Sequence, residues 1–240
     1  MESSQGSDEE QFFLTPRHVC SYLNRADAQT LFFDPRKTIT SDTYDKLTRM
    51  GFRRSGSHLY SPHCKDCKAC VPTRIPVEKY DYTTSNKRIL KKNKDLKIVI
   101  EEAKFTARFY DLYERYINLK HPDGDMFPPS SEQYKTFLLS PWANSFFISG
   151  YLDKKLVSVA VTDKQHNSLS AIYTFYDPLE PKRSLGTMNI LNQIHLCNEM
   201  GLDYLYLGYW IKTNKKMDYK INFKPIELRI NSDWKYVKSH

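Results

Sequence analysis

The sequence predicts an α+β protein in which a cysteine-bearing N-terminal region packs on a C-terminal sheet domain. Three observations lead there. Three β-rich runs follow one another in the second half, "SFFISGYL", "LVSVAVTDK" and "LSAIYTFYD". Stretches with helical period flank them on both sides. Finally, "HCKDCKAC" (63–70) sets Cys64, Cys67 and Cys70 at C-x2-C-x2-C spacing within a first half made of short elements. The expected organisation is an acidic disordered tail over 1–11, the N-terminal region over 12–100 and the sheet domain over 101–240.

In chain order, "SDTYDKLTRMGF" (41–52) reads as a short helix capped by Ser41 or Asp42 and stopped at Gly51. "RRSGSHLYSP" is a turn and strand. "KACVPTRIPV" leaves the cysteines as an extended segment, because a residue before Pro is pushed out of the helical region. "TSNKRILKKNKDL" is a basic helix followed by the strand-like "KIVIE". Over 106–121, Phe109, Leu112, Tyr113, Tyr116 and Ile117 form one helical stripe, a core face. "HPDGDMFPP" (121–129) is a loop, and "SSEQYKTFLL" starts a Ser-capped helix. The three β-rich runs, joined by turns at "DKK" and "QHN", form an antiparallel meander. "PLEPKRSLG" (178–186) is a loop and "TMNILNQIHLCNEMG" (187–201) an amphipathic helix capped by Thr187. "YLYLGYWI" (204–211) is a strand, and "KPIELRI" (224–230) the last one.

The chain has 240 residues, 40% of them hydrophobic and 14% aromatic, enough for one large core or two small ones. No apolar run approaches the roughly 18 residues of a membrane span. The start, "MESSQGSDEEQ", lacks the basic and apolar regions of a signal peptide. A soluble, cytoplasmic monomer without membrane contact is expected. The net charge of +8 points to a polyanionic partner, most simply nucleic acid. The excess is clustered: "NKRILKKNKDLK" (86–97) carries six cations against one acid, and "EPKRS" and "IKTNKKMDYKINFK" add more.

In a reducing cytosol the cysteines are expected as thiols rather than a disulfide framework. Thiolates at x2 spacing can wrap one soft metal. With Cys20 as fourth ligand, Cys64, Cys67 and Cys70 would suit zinc or an iron–sulfur cluster, and His63 or His58 could substitute. The competing reading is three free or redox-active thiols. Cys197, in "LNQIHLCNEM", sits at a position that looks buried.

Meander, basic loop, helix, strand and closing strand outline a GNAT-like acyltransferase core. There a loop feeding a helix N-terminus receives the phosphate-bearing part of the acyl donor. "KRSLG" (182–186) occupies that point without the fuller Gly-rich loop of coenzyme A users.

Several stretches together resemble one family: "CSYLNRADAQTLFFDP" (20–35), "GFRRSGSHLYSPHCKDCKACVPTRIPV" (51–77), "RILKKNKDL" (88–96), "KHPDGDM" (120–126), "TFYDP" (174–178), "RSLGTMNIL" (183–191) and "YLGYWI" (206–211). They are similar to the aminoacyl-tRNA–protein transferases, in particular the bacterial leucyl-transferring subfamily, over about residues 12–237. The resemblance implies transfer of leucine from leucyl-tRNA to the α-amino group of proteins beginning with Asp or Glu, which creates a degradation signal. It implies no cofactor for the transfer itself. Eukaryotic relatives are associated with an iron–sulfur cluster held by a C-x2-C and a vicinal Cys pair. Here only Cys20 of the first motif remains, with Leu23 in place of its partner.

That chemistry requires a neutral amine held near an ester carbonyl and a stabilised oxyanion. Arg53, Arg54 and Arg183 are the candidates to grip the acceptor's carboxylate. For proton handling the candidates are Tyr173, Asp177, Tyr206 and Tyr209, with His121, Tyr219 and Lys220 as further members. For the tRNA acceptor stem they are Lys87, Arg88, Lys91, Lys92 and Lys182, with Arg183 near the terminal adenosine. The other readings are an arginyl donor, an acetyl-CoA N-acetyltransferase and, in a different class, a non-catalytic RNA-binding zinc-knuckle protein.

Overall fold

The structure, a computed structural model, describes residues 12–237; the expected acidic tail lies outside the described residues. Four short strands, β1 (Phe12–Leu14), β2 (Thr30–Phe33), β3 (Arg53–Ser55) and β4 (His58–Pro62), form an antiparallel sheet in the order β1-β2-β4-β3. Helix α1 (Ser41–Arg49) links β2 to β3. Thr40, rather than Ser41 or Asp42, caps it: the Thr40 hydroxyl accepts from the Thr43 N–H at 3.1 Å. Tyr44 and Leu47 of α1 close a small core with Phe33, Phe52 and Leu59.

The remaining elements are β5 (Val71–Pro76), α2 (Thr84–Lys92), β6 (Leu96–Glu102), α3 (Ala107–Lys120), α4 (Ser131–Leu138), β7 (Ser145–Leu152), β8 (Lys155–Lys164), β9 (Ser168–Tyr176), α5 (Leu185–Glu199), β10 (Tyr204–Trp210), α6 (Lys215–Asp218), β11 (Ile226–Ile230) and β12 (Asp233–Val237). They build one eight-stranded sheet, β12-β11-β5-β10-β9-β8-β7-β6. The meander β7-β8-β9 stands as the alternation predicts. Residue 100 marks no break in the sheet, because β5 and β6 both belong to it. The extended segment after the cysteines is β5, held between β10 and β11.

Two expectations are corrected. β12 follows the expected last strand and pairs with β11 from Ile226↔Val237 to Ile230↔Asp233. Helix α5 begins two residues before Thr187, after Ser184 in the left-handed region (φ 55°), and it is not amphipathic. Leu185, Met188, Ile190, Leu191, Ile194 and Cys197 are all buried, because α5 is packed between the sheet and α2. Helices α3 and α4 form the core over Phe147, Val159, Val161 and Phe175.

One strand pair sets the architecture. β9 and β10 run parallel and pair only from Tyr204↔Ser168 to Tyr206↔Ser170. Beyond Tyr206, β10 shifts register at Gly208 (φ 83°) and continues against β5 alone. The two strands therefore part over Ala171–Tyr176 and Leu207–Trp210, and α5, which follows β9, begins beside the opening. A meander, a crossing helix and a forked parallel pair make this a GNAT-like acyltransferase core.

Candidate active site in the forked sheet

Adjacent residues of a strand face opposite ways, so Arg53 and Arg54 of β3 part company. Arg53 enters the fork. Its Nη1 donates to Ser170 Oγ at 2.7 Å and its Nη2 to the Ala171 carbonyl, which lies beyond the last β9–β10 pair. A Cβ on Gly208 would lie 3.1 Å from Arg53 Nε, so glycine lets the guanidinium lie flat on β10. Arg53 is 8% exposed, and among the described residues no carboxylate pairs with it.

Lys220 is also buried. Its Nζ donates to the Tyr209 carbonyl at 2.6 Å and approaches Met217 Sδ at 3.5 Å. Burial first, then Arg53, pushes the amine down to about 7, with Cys70 opposing. Next to it Tyr219, 43% exposed, faces Tyr176 and Arg53. The β9 wall carries Tyr173 and Tyr176, against Tyr116 of α3 at centroid distances of 6.3 and 4.9 Å. His121, just past α3, places Nε2 3.1 Å from Tyr116 Oη. The first turn of α5 abuts the Tyr176 ring, since a Cβ on Gly186 would lie 3.3 Å from Tyr176 Cε1.

The structure brings Arg53, Tyr173, His121, Tyr219 and Lys220 to this cleft and takes other candidates elsewhere. Arg54 is fully buried against Asp163, with Nε–Oδ2 at 2.6 Å, and also donates to Gly56, Leu138 and Ser145. Arg183 is held by Asp95 at 2.9 Å and Glu180 at 3.1 Å. Asp177 lies beneath Lys155, with Nζ at 2.7 Å, and accepts from the Leu179 N–H. Burial opposes its ionisation, but Lys155, that N–H and Arg115 outweigh it and keep the carboxyl below its ordinary value. Tyr206 accepts from Arg74, whose guanidinium is stacked on Tyr204 and Trp234 and paired with Glu227 at 2.6 Å. Tyr209 is bound to the carbonyls of Gly51 and Tyr60. Tyr116 and Tyr176 were missed: the first reads only as a core stripe, and the second stands unremarked in "TFYDP".

Lys87, Arg88, Lys91 and Lys92 are exposed on α2, and Lys92 Nζ donates to the Lys182 carbonyl at 2.8 Å. Asn93 Nδ2 likewise donates to the Arg183 carbonyl at 2.8 Å, so α2 and the turn before α5 form one continuous basic ridge.

Cys20, Cys64, Cys67 and Cys70 border one cavity of about 400 Å³, with Lys68 and Arg229. Their chemistry suits a soft metal, and the other three sulfurs add to burial in pushing the Cys70 thiol up to about 12. As placed, however, the sulfurs do not converge on one point. The N–H groups of Tyr22 and Leu23 donate to Cys20 Sγ at 3.5 and 3.4 Å and that of Gln29 to Cys64 Sγ at 3.5 Å, bonds that would favour thiolates without themselves assembling a ligand set. Among the described residues no three His, Cys, Asp or Glu side chains converge to hold a metal ion, and no described helix is long and apolar enough to cross a membrane.

The family models for the arginine-tRNA-protein transferase N terminus and C terminus match residues 18–88 and 108–230. An aspartate/glutamate leucyltransferase of Pseudomonas fluorescens (strain Pf0-1) is 50% identical over 223 residues, 93% of this chain and 95% of its own. That of Hahella chejuensis is 47% identical over 223 residues, with the same coverage. Among solved structures, the GCN5-related glucosamine N-acetyltransferase region of a fungal multi-domain GH3 β-N-acetylglucosaminidase aligns at TM-score 0.43 and 9% identity, over 82% of this chain and 22% of its own, too distant to carry an argument. With both halves matched and half the residues shared across nearly the full length, the chain belongs to the arginine-tRNA-protein transferase family.

Proposed function

We propose that this protein moves leucine from leucyl-tRNA to the α-amino group of proteins that begin with Asp or Glu, marking them for degradation in the cytoplasm. The observation that carries this reading is Arg53. Arg54, Arg74 and Arg183 each hold a carboxylate of the chain, whereas Arg53, buried in the fork, holds none among the described residues. It is placed to take the acceptor's side-chain carboxylate, as a guanidinium does best.

The α-amine, with an ordinary pKa of about 7.7–8.0, is partly neutral at cytosolic pH and attacks the ester carbonyl. The N–C bond forms, the C–O bond to the ribose breaks, and the amine's proton passes to the ribose oxygen. Positioning supplies much of the rate. The basic ridge of α2 and Lys182 supports an acceptor stem leading to the start of α5. Leucine is favoured over arginine because relatives that share about half of the residues over 93% of the chain are aspartate/glutamate leucyltransferases. The same reading keeps the four cysteines as ligands for zinc or a cluster after rearrangement, checked by metal analysis of anaerobically purified protein.

The deciding assay presents labelled leucyl- or arginyl-tRNA with peptides starting with Asp, Glu, Lys or Ala. Leucine should appear on the Asp and Glu peptides alone. Label from arginyl-tRNA only would overturn the donor, and label on no peptide would overturn the activity.

A further inference from the structure

Resting on that transfer reaction, we infer that Tyr176, Tyr116 and His121 form a proton relay, with Tyr176 as the catalytic residue at the reacting amine and His121 a positioning residue that stores the proton. Tyr176 stands where β9 and β10 have parted, against the first turn of α5, and faces Tyr219 and through it the side of Arg53. Its ring lies 4.9 Å from that of Tyr116. Tyr116 is 8% exposed, and its hydroxyl meets His121 Nε2 at 3.1 Å. Tyr176 also acts on the Tyr116 phenol through a side-chain hydrogen bond, so the path runs from the mouth of the fork to an imidazole at the end of α3. Asp177, the nearest carboxylate in sequence, is tied to Lys155 and cannot serve.

The groups around His121 keep it a base. Tyr116 faces it from α3, Lys120 stands on the same helix, and Lys216 faces it from α6. Burial first, then Lys216 and Lys120, lowers its pKa, so the imidazole is neutral at cytosolic pH. Burial and the neighbouring Tyr176 and Tyr219 raise that of Tyr116, which stays a phenol.

As the N–C bond forms, Tyr176 Oη takes a proton from the amine while its own passes to Tyr116 Oη and that of Tyr116 to His121 Nε2. On collapse the C–O bond breaks and the ribose oxygen receives a proton by the reverse path. The enzyme ends unchanged.

Two conservative variants test the relay. His121→Gln can still hydrogen-bond Tyr116 but cannot store a proton, and Tyr116→Phe keeps the ring packing. Each should lower kcat about 100-fold with leucyl-tRNA and an Asp peptide, leave both KM values within about two-fold, and combine without further loss. At the acid end, log(kcat/KM) should fall with a slope of about two in the wild type, one proton for the acceptor amine and one for His121, and about one in either variant. Melting temperature and tRNA binding, measured in parallel, should match the wild type. Losses that multiply in the double variant, or a slope unchanged from wild type, would overturn the relay while leaving the transferase reading intact. A wild type that transfers nothing would instead remove the reading on which the relay rests.

Discussion

Replacing Lys220 by Met removes a buried amine from the fork while keeping an unbranched chain of similar length. Lys220 is 6% exposed, and its polar contacts are the Tyr209 carbonyl and the weakly accepting Met217 sulfur. Burial and the Arg53 charge hold its amine at about 7, against 10.5 for a solvated lysine. The unfolded chain therefore binds one more proton than the folded one between those values. Stability then rises with pH across the window, by about 1.4 kcal/mol per unit, and is flat below it. Between pH 7 and 9 the gain is about 2.5 kcal/mol. Cys70 and Cys197 close the window from above: both thiols, pushed up to about 12, stay protonated in the fold while the unfolded thiols ionise, and together they outweigh the remaining Lys220 gain, so stability falls again beyond pH 9. Urea unfolding at pH 7, 8 and 9 should show the midpoint of the wild type rising and that of Lys220→Met nearly constant. Parallel midpoints in the two proteins would refute the assignment of a neutral, buried Lys220.

Three further outcomes are expected. Arg53→Gln should abolish transfer to Asp and Glu peptides while leucyl-tRNA binding persists, and equal activity would remove Arg53 from acceptor recognition. Lys91→Glu with Lys92→Glu should weaken tRNA binding at least ten-fold and flatten the dependence of log K on log salt; an unchanged salt slope would place the tRNA elsewhere. Arg54→Ala, which strands Asp163 in the core, should cost about 3–5 kcal/mol of unfolding free energy by denaturant titration, and a loss under 1 kcal/mol would contradict the buried pair.

The parts legible in the sequence are those fixed by local periodicity. The stripe Phe109, Leu112, Tyr113, Tyr116 and Ile117 specifies α3, and the alternation of 145–176 specifies the meander. The fork depends instead on pairings between distant segments. β5 precedes β10 by more than a hundred residues, and nothing local says that β10 will leave β9 after Tyr206. The tyrosines illustrate the consequence. Tyr206 and Tyr209 lie three apart in one strand, but their partners come from distant segments: Tyr206 meets the Arg74 stack and Tyr209 the carbonyls of Gly51 and Tyr60, neither entering the cleft with Tyr173. α5 was misread for a related reason: a helix covered on two sides loses the polar face by which such helices are recognised.

Arg53 and Arg54 carry this furthest. They are identical in type and adjacent in sequence, and composition cannot rank them. The period of two in β3 gives one of them Asp163 and the other the fork. A forked parallel pair leaves backbone carbonyls beyond its last rung without strand partners, and in a buried position each must find a donor. Arg53 supplies one to the Ala171 carbonyl and donates besides to the Ser170 hydroxyl. The residue that closes the gap in the sheet is thus the same one that leaves a carboxylate-free cation beside the reacting groups. Separating its two duties requires a side chain that donates to Ala171 without the charge, which Gln in part does. Arg53→Gln should therefore keep more stability than Arg53→Met while sharing its loss of transfer to acidic peptides. If both variants unfolded at the same denaturant concentration, the guanidinium would have no part in completing the fork.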